Sequence, residues 1–309
     1  MPSLEAMDLR QLAALAAVAD AGSFSAAARR LHTVQSNVST HVARLERELG
    51  ATLVDRATGT LTEEGEAVVA RARRVNHEIE SLRADVSSLL HEVSGSVRLG
   101  CISTVSRWLV PRLLDLMAER HPRVHVVIVD ATTTSLVPQV VSESLDLAII
   151  NLPLNQRELA TEPLFDEDRV LLVPLGHPLA AADRVTLADL AAHDLLLEPQ
   201  GTAFRDVLDE EAAKVGLAVR PQAEIDGIRL LTSLAFEGYG AAVVPATAVR
   251  PWFDQTCRRV AVDGLAPRSV GLAMPGRARL SAPARAVRGA VRDLVRATEQ
   301  EGVRLTLGA

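Results

Sequence analysis

The chain has 309 residues, room for two or three domains that each bury a core of their own. Apolar residues make up 48% of it but aromatics only 3%, so those cores must be packed from Leu, Val and Ala. The net charge of −6 excludes the broadly basic surface of a general nucleic-acid binder, and any such role has to rest on a local asymmetry.

No run approaches the roughly 18 consecutive apolar residues of a membrane span, and the N-terminus lacks a signal-peptide apolar region. A cytosolic protein with no membrane partner is expected. The two cysteines, Cys101 and Cys257, sit in apolar segments, which favours buried thiols over a disulfide or metal site, with a redox switch as the alternative.

Residues 1–6 precede Met7 and are either a tail or a misplaced start, so Met1 and Met7 compete as the first residue. Leu9, Leu12, Leu15, Val18 and Ala19 give a first helix one apolar face. Two short helices then flank a tight turn at His32–Val34. The first, about Ser25–Leu31, is rich in alanine, so another helix can approach its backbone closely. Thr33 is a candidate cap for the second, its hydroxyl accepting from an otherwise orphaned N–H. In that second helix Val34, Val38, Val42, Leu45 and Leu49 form one apolar stripe. Ser36, Asn37, Ser39, Thr40, Arg44 and Arg47 fall on the opposite side. Short hydrogen-bonding groups let a helix sit deep in a major groove, while arginines farther along reach phosphates. Residues 23–47 carry four arginines and one acid, which supplies the local asymmetry. Read without a partner, the same spacing also describes a helical hairpin that merely packs on its own body.

From Met7 to Gly65 the chain resembles the winged helix-turn-helix of LysR-type transcriptional regulators. The matching landmarks are Met7-Asp8-Leu9-Arg10-Gln11-Leu12, Gly22-Ser23-Phe24, Ala26-Ala27, Leu31-His32, Gln35, Val38-Ser39, Leu45-Glu46, Glu48-Leu49-Gly50, and Leu61-Thr62 with Gly65. Thr52–Thr62 is then the wing, a hairpin turning near Thr58-Gly59. It departs from the family pattern in carrying Arg56 as its only basic residue, which puts wing contacts to DNA in doubt.

Thr62-Glu63-Glu64-Gly65 starts a long helix with acids in its first turn, favourable to the helix dipole. Val68, Ala72, Val75, Ile79, Leu82, Val86, Leu89 and Val93 recur at alternating spacings of four and three, a heptad seam on an otherwise polar helix. Such a seam needs a partner, either the chain's own body or the same helix of a second copy. The linker helices of the LysR family pair in the second way, and the resemblance implies a homodimer or homotetramer.

After the break at Ser94-Gly95-Ser96, short apolar strands alternate with helices. Strands are expected at Val97–Ile102, Val124–Val129, Leu145–Ile150, Arg169–Leu175, Leu195–Glu198, Ala241–Pro245 and Ser269–Met274. Helices are expected at Trp108–Arg120, Leu136–Ser142, Phe204–Val215, Ile228–Glu237 and Pro283–Thr298. Val97 to Pro245 resembles the LysR effector domain, a periplasmic-binding-protein-like pair of α/β lobes, with Asp146-Leu147-Ala148-Ile149, Gly176-His177-Pro178-Leu179 and Gly238-Tyr239-Gly240 as landmarks. The resemblance implies two crossings between lobes, placed near Thr161–Asp166 and Asp263–Arg268. The expected domains are 1–62, DNA binding; 63–94, linker helix and hinge; and 95–309, effector binding. Lobe 1 takes about 95–165 and 266–309, and lobe 2 about 166–265.

Hydroxyl clusters at Ser103-Thr104, Thr132-Thr133-Thr134 and Gly201-Thr202 each follow a strand and precede a helix, where free N–H groups and the dipole favour anions. Each could be no more than a helix cap. Ser103, Thr104 and Thr132 also match effector-contacting positions of the family. With Thr133, Thr202 and the wall candidates Phe204 and Ile228, they make a site for a small carboxylate or similar metabolite in an interlobe crevice.

No catalytic constellation or cofactor motif emerges. Gly238-Tyr239-Gly240 with Ala241-Ala242-Val243 is a partial dinucleotide fingerprint in the reverse of the required strand-to-helix order. The expected fold combines α+β and α/β parts: a winged helix-turn-helix, a long linker helix and a two-lobed effector domain. The expected function is a sequence-specific DNA-binding regulator, not an enzyme, with no cofactor and with double-stranded DNA and a small effector as partners. Gln35, Ser36, Asn37, Ser39 and Thr40 are the candidate base or backbone contacts. His41 stands at the margin of that face, with Arg44 and Arg56 for phosphates. The alternatives are a metabolite-binding protein whose N-terminal helices serve only assembly, and an enzyme using the crevice.

Overall fold

A computed structural model describes residues 7–56, 58–90, 92–249, 256–276, 279–298 and the backbone of 303–304. The question of which methionine starts the chain lies outside the described residues. The chain divides into two compact units, one holding residues 1–95 with 142–144, the other 96–141 with 145–309.

In the first unit, helix α1 (Leu9–Ala21) starts on a reciprocal cap. Asp8 accepts from the backbone N–H groups of Arg10 and Gln11, and the Gln11 amide oxygen accepts from Asp8 N at 2.9 Å. Those backbone donors hold the Asp8 carboxyl below its ordinary range. Ser23 caps α2 (Phe24–Arg30), and His32, with φ of +50°, makes the turn into α3 (Gln35–Leu49). Ala27 and Ala28 are buried, so α2 packs closely against its neighbours, as its composition requires. Val38, Val42 and Leu45 of α3 are buried against Leu12, Leu15 and Val18 of α1, whereas Leu9, Val34 and Leu49 at the helix ends are exposed. The predicted stripes hold in the middle and fail at the ends, where a helix outruns its partner.

Among its described residues the wing shows one antiparallel bridge, Val54 with Leu61, and turns at Gly59 with φ of +75°. Glu46 of α3 fixes its base by accepting from Leu53 N and Val54 N at 2.9 and 3.3 Å. Helix α4 (Glu63–Leu90) follows, and its Gly65 is required by space. A Cβ there would stand 2.0 Å from the Leu53 carbonyl oxygen. Among the described residues, no single helix is long and apolar enough to cross a membrane.

The second unit contains two six-stranded sheets. In chain order its elements are β1 (Gly95–Cys101), α5 (Ser103–Arg120), β2 (Val124–Asp130), α6 (Thr133–Val141), β3 (Leu147–Leu152), β4 (Leu159–Glu167), β5 (Arg169–Pro174), β6 (Arg184–Thr186), α7 (Leu187–Ala191), β7 (Asp194–Leu197), α8 (Ala203–Lys214), β8 (Arg220–Glu224), α9 (Ile228–Phe236), β9 (Ala241–Pro245), β10 (Cys257–Asp263), β11 (Arg268–Pro275), α10 (Ala282–Ala297) and β12 (Val303–Arg304). The first sheet runs β12-β4-β11-β3-β1-β2, and the second β6-β10-β5-β9-β7-β8. The apolar core of lobe 1 joins β1, β3 and β11 to α5, α6 and α10. Lobe 2 buries an apolar cluster on each face of its sheet, one under α7 and α8 and one under α9.

Five strands escape the hydropathy reading: β4, β6, β8, β10 and the two-residue β12. The predicted crossing at Thr161–Asp166 is itself strand β4, paired along its length with β11, and the chain changes sheet at Asp168 instead. Its charged residues read as loop because a strand flanked by sheet needs only one apolar face. β10 (Cys-Arg-Arg-Val-Ala-Val-Asp) hides its pairing behind two arginines. β8 is an exposed edge strand, and β6 has only three residues.

Candidate DNA-reading surface and effector site

In the first unit, α3 presents Gln35, Ser36, Asn37 and Thr40 as exposed, with Ser39 and His41 half-buried. Thr33 does not cap α3. The residue at the cap position is Val34, and the Thr33 hydroxyl instead accepts from the Asn37 side-chain amide at 3.0 Å. The helix begins one residue too late for Thr33 to reach its free N–H groups. Thr40 donates back to the Ser36 carbonyl at 2.7 Å, which turns its remaining acceptor capacity outward. Arg44 pairs with Glu48 through Nε at 3.0 Å, its side chain half exposed.

Arg56 is engaged within its own unit. Its guanidinium donates to Ser39 Oγ at 3.1 Å and Glu46 Oε2 at 3.0 Å, and lies 5.4 Å from the centre of the Phe24 ring. It therefore ties the wing to α2 and α3, a role that its place as the hairpin's one basic residue did not reveal. A second tie, not foreseen, is Asp20, which pairs with Arg30 at 3.1 Å and Arg73 at 2.5 Å, so α1 holds α2 and α4.

The heptad positions of α4 divide into two groups. Val68 and Ala72 join this unit's own core together with Val69, so the start of the seam packs on its own body. Beyond them Ile79 is half-buried, and Val75, Leu82, Val86 and Leu89 are exposed, the last at 85%.

In the second unit, the hydroxyls lie inside or against the helix starts rather than ahead of them, because α5 and α6 begin earlier than their apolar patterns. Ser103 and Thr104 are the first residues of α5, and Thr133 is the first of α6. Thr133 Oγ1 accepts from Asn151 N at 3.0 Å. Thr132 bonds with Thr134 and Ser135. Thr202 caps α8 and donates to the Pro199 carbonyl, so its hydrogen bonds stay within its own lobe. Phe204 packs on one lobe-2 cluster and Ile228 on the other.

A buried charge network lies where the chain passes between the lobes. Glu167, fully buried at the end of β4, pairs with Arg268 at the start of β11, and its other oxygen accepts from Thr247 N of lobe 2 at 2.9 Å. Arg268 also donates to Asn151 Oδ1 at 3.3 Å and Thr104 Oγ1 at 2.5 Å. Thr104, Thr133, Asn151, Arg268 and Glu167 are thus one connected set at the crossing. Nearby, Arg169 donates to the Ala266 carbonyl, lies 5.2 Å from the Phe204 ring centre, and is pushed down to about 10, first by burial and then by Arg268. The sequence signal for Glu167, Arg169 and Arg268 was charge at the very ends of apolar strands, where a chain changes sheet. On the lobe-2 side, burial and then the charge of Asp226 push the Glu198 carboxyl above its ordinary range, with Arg268 pulling it part of the way back.

Both cysteines are buried and free. Cys101 donates to the Ile102 carbonyl and Cys257 to Ala235, and burial raises both thiols. Among the described residues, no cluster of His, Cys, Asp and Glu could hold a metal.

Residues 9–66 match the model of the bacterial regulatory helix-turn-helix protein, lysR family, and residues 91–296 that of the LysR substrate binding domain. The chain belongs to the LysR family. It is a LysR-type DNA-binding transcriptional regulator with an effector-binding domain. It is 35% identical over 298 residues to a probable hydrogen peroxide-inducible genes activator of Streptomyces viridosporus, covering 93% of this chain and 95% of that one. A solved full-length OxyR cysteine-to-aspartate variant from Pseudomonas aeruginosa superposes with a TM-score of 0.73 at 25% identity, covering 98% of this chain and 99% of that one. Full-length CbnR complexed with its target DNA shares the fold, with a TM-score of 0.69 at 23% identity over 94% of this chain and 99% of that one.

Two outcomes test this geometry. Arg268→Ala strands the fully buried Glu167 carboxylate and should cost about 3–5 kcal/mol in urea unfolding. Arg268→Met with Glu167→Gln should recover most of it. The raised Glu198 favours the protonated folded state. Its contribution is therefore whole below the ordinary glutamate value, about 4.3, and is lost as pH rises through the raised one. Glu198→Gln should melt higher than the native chain at pH 7, with the difference closing toward pH 4. A gap that widens on acidification would contradict the burial argument.

Proposed function

We propose that α3 reads DNA with Gln35, Ser36, Asn37, Ser39 and Thr40 against base edges or the adjoining backbone, and with His41 and Arg44 against phosphates. The observation that carries this is the division of α3 itself. Val38, Val42 and Leu45 anchor one side in the core, and the short polar side chains stand exposed on the other. In this reading Arg56 orients the wing and Ser39 rather than gripping a phosphate. Residues 1–62 form the DNA-binding part, 63–94 the linker, and 95–309 the effector domain.

The exposed part of the α4 seam, Val75, Leu82, Val86 and Leu89, pairs with the same helix of a second copy, giving a dimer or a tetramer built of dimers. The crevice between the lobes takes a small metabolite bearing an acid group, with Ser103, Thr104, Thr132 and Thr133 on the lobe-1 wall and Thr202, Phe204 and Ile228 on the other. Ligand shifts the balance between lobe arrangements, and the paired linkers carry that shift to recognition helices set against successive major grooves, about 34 Å apart. Such a regulator works in the cytoplasm.

A peroxide-responsive activator is the second reading, favoured by the name of the Streptomyces relative. The reacting species in such chemistry is a thiolate. Here the chain's two thiols are buried and raised, so the metabolite reading is preferred.

Mobility shift with DNA from upstream of the chain's own gene tests the reading. Arg44→Ala should weaken binding on every sequence and reduce the salt slope by about 1, whereas Gln35→Ala should cost about 1–3 kcal/mol at one base position only. Equal losses on all sequences for both variants would defeat the assignment.

A further inference from the structure

One carboxylate in the effector domain is held from both lobes at once. Asp130 ends strand β2 of lobe 1. Its Oδ1 accepts from Ser103 Oγ at 2.6 Å, and its Oδ2 lies 3.2 Å from the Arg229 guanidinium of α9 in lobe 2. Ser103 opens α5, an 18-residue helix whose cap position is Ile102 and which has no side-chain cap of its own. The positive end of that helix and a hydroxyl donor are what an anion would seek. The chain's own carboxylate is already there.

This pair differs in kind from the Glu167–Arg268 pair at the crossing. Glu167 is fully buried and Arg268 nearly so, and separating them would leave an uncompensated charge. The Asp130 side chain is 30% exposed and that of Arg229 64%, so either can exchange its partner for water. The first is a fixed joint between strands; the second is a contact built to open.

We propose that Asp130 is an internal stand-in for the acid group of the effector, and that its pair with Arg229 is a latch across the interlobe crevice which an anionic ligand releases. This rests on the reading of the crevice as the effector site. The ligand's oxyanion takes Ser103 Oγ and the Arg229 guanidinium, and Asp130, repelled by it, turns to solvent. Asp130 thereby sets the charge class of the ligand, because a neutral molecule gains too little from these partners to displace a carboxylate. It also sets a threshold, since every ligand must first displace the internal one.

Full-length Asp130→Asn keeps size and one acceptor but loses the charge, and inorganic phosphate serves as the probe anion. By calorimetric titration the variant should bind phosphate at least tenfold more tightly than the native chain. The gain should vanish when Ser103→Ala or Arg229→Met is added. Spin labels at Glu119→Cys and Glu210→Cys, one on each lobe, should report an open population in Asp130→Asn and in Arg229→Met that the native chain lacks. Arg229→Met guards against a folding defect at Asp130, because it alters only an exposed helix position. Equal phosphate affinity in native and Asp130→Asn chains, a gain that survives Ser103→Ala, or unchanged interlobe distances in Arg229→Met would each overturn the latch. Retardation of upstream DNA by the same native preparation keeps the failures apart: if it persists while the latch fails, the regulator stands without it.

Discussion

The constraint on which the rest depends is an apolar ridge left in water. Helix α4 spends Val69 and Ala72 on its own unit, where both are buried, and then carries Val75, Leu82, Val86 and Leu89 outward with no cover from that unit. At about 25 cal/mol per Å² of apolar surface, a seam of this kind is worth several kcal/mol when a like helix closes over it and nothing when one does not. A reading unit of modest size, with charges nearly balanced over residues 1–60, has little nonspecific affinity to draw on. In the proposed dimer, pairing through α4 would turn two weak readers into one binder of useful strength.

The DNA-reading unit is stiffened by charges that face inward rather than toward DNA. Arg56 bridges Ser39 and Glu46, and Asp20 gathers Arg30 and Arg73. A recognition helix must be held to a fraction of an ångström to place short side chains against base edges, and these ties do that for a hairpin that shows one bridge among its described residues. The effector domain uses charge in the same two ways. The Glu167–Arg268 pair locks the crossing strands together, and Asp130 with Arg229 makes a more exposed pair between β2 and α9.

Much of this was legible in the sequence, for identifiable reasons. Val38, Val42 and Leu45 announce α3 because a buried helix stripe has a period that little else mimics, and the apolar runs at 97–102, 147–150 and 241–245 announce buried strands. The family landmarks supplied what periodicity could not, the identity of the two parts. The readings that failed did so at ends and edges. Thr33 missed its helix by one residue. α5 and α6 start on polar hydroxyl residues that look like loop. β4 and β8 lack the continuous apolar run of a central strand. The site was half visible: the hydroxyls stood out by their position after strands, but the charges that engage them, Asp130 and Arg268, come from strand ends distant in sequence, and only the folded chain brings them together.

Sedimentation of the purified full-length chain, alone and without DNA, tests the central claim most directly. The account predicts a particle of twice the chain mass of 33.1 kDa, or four times it, at micromolar concentration. A particle of 33.1 kDa across the accessible range would mean that the ridge on α4 has some other use, and the account would fail.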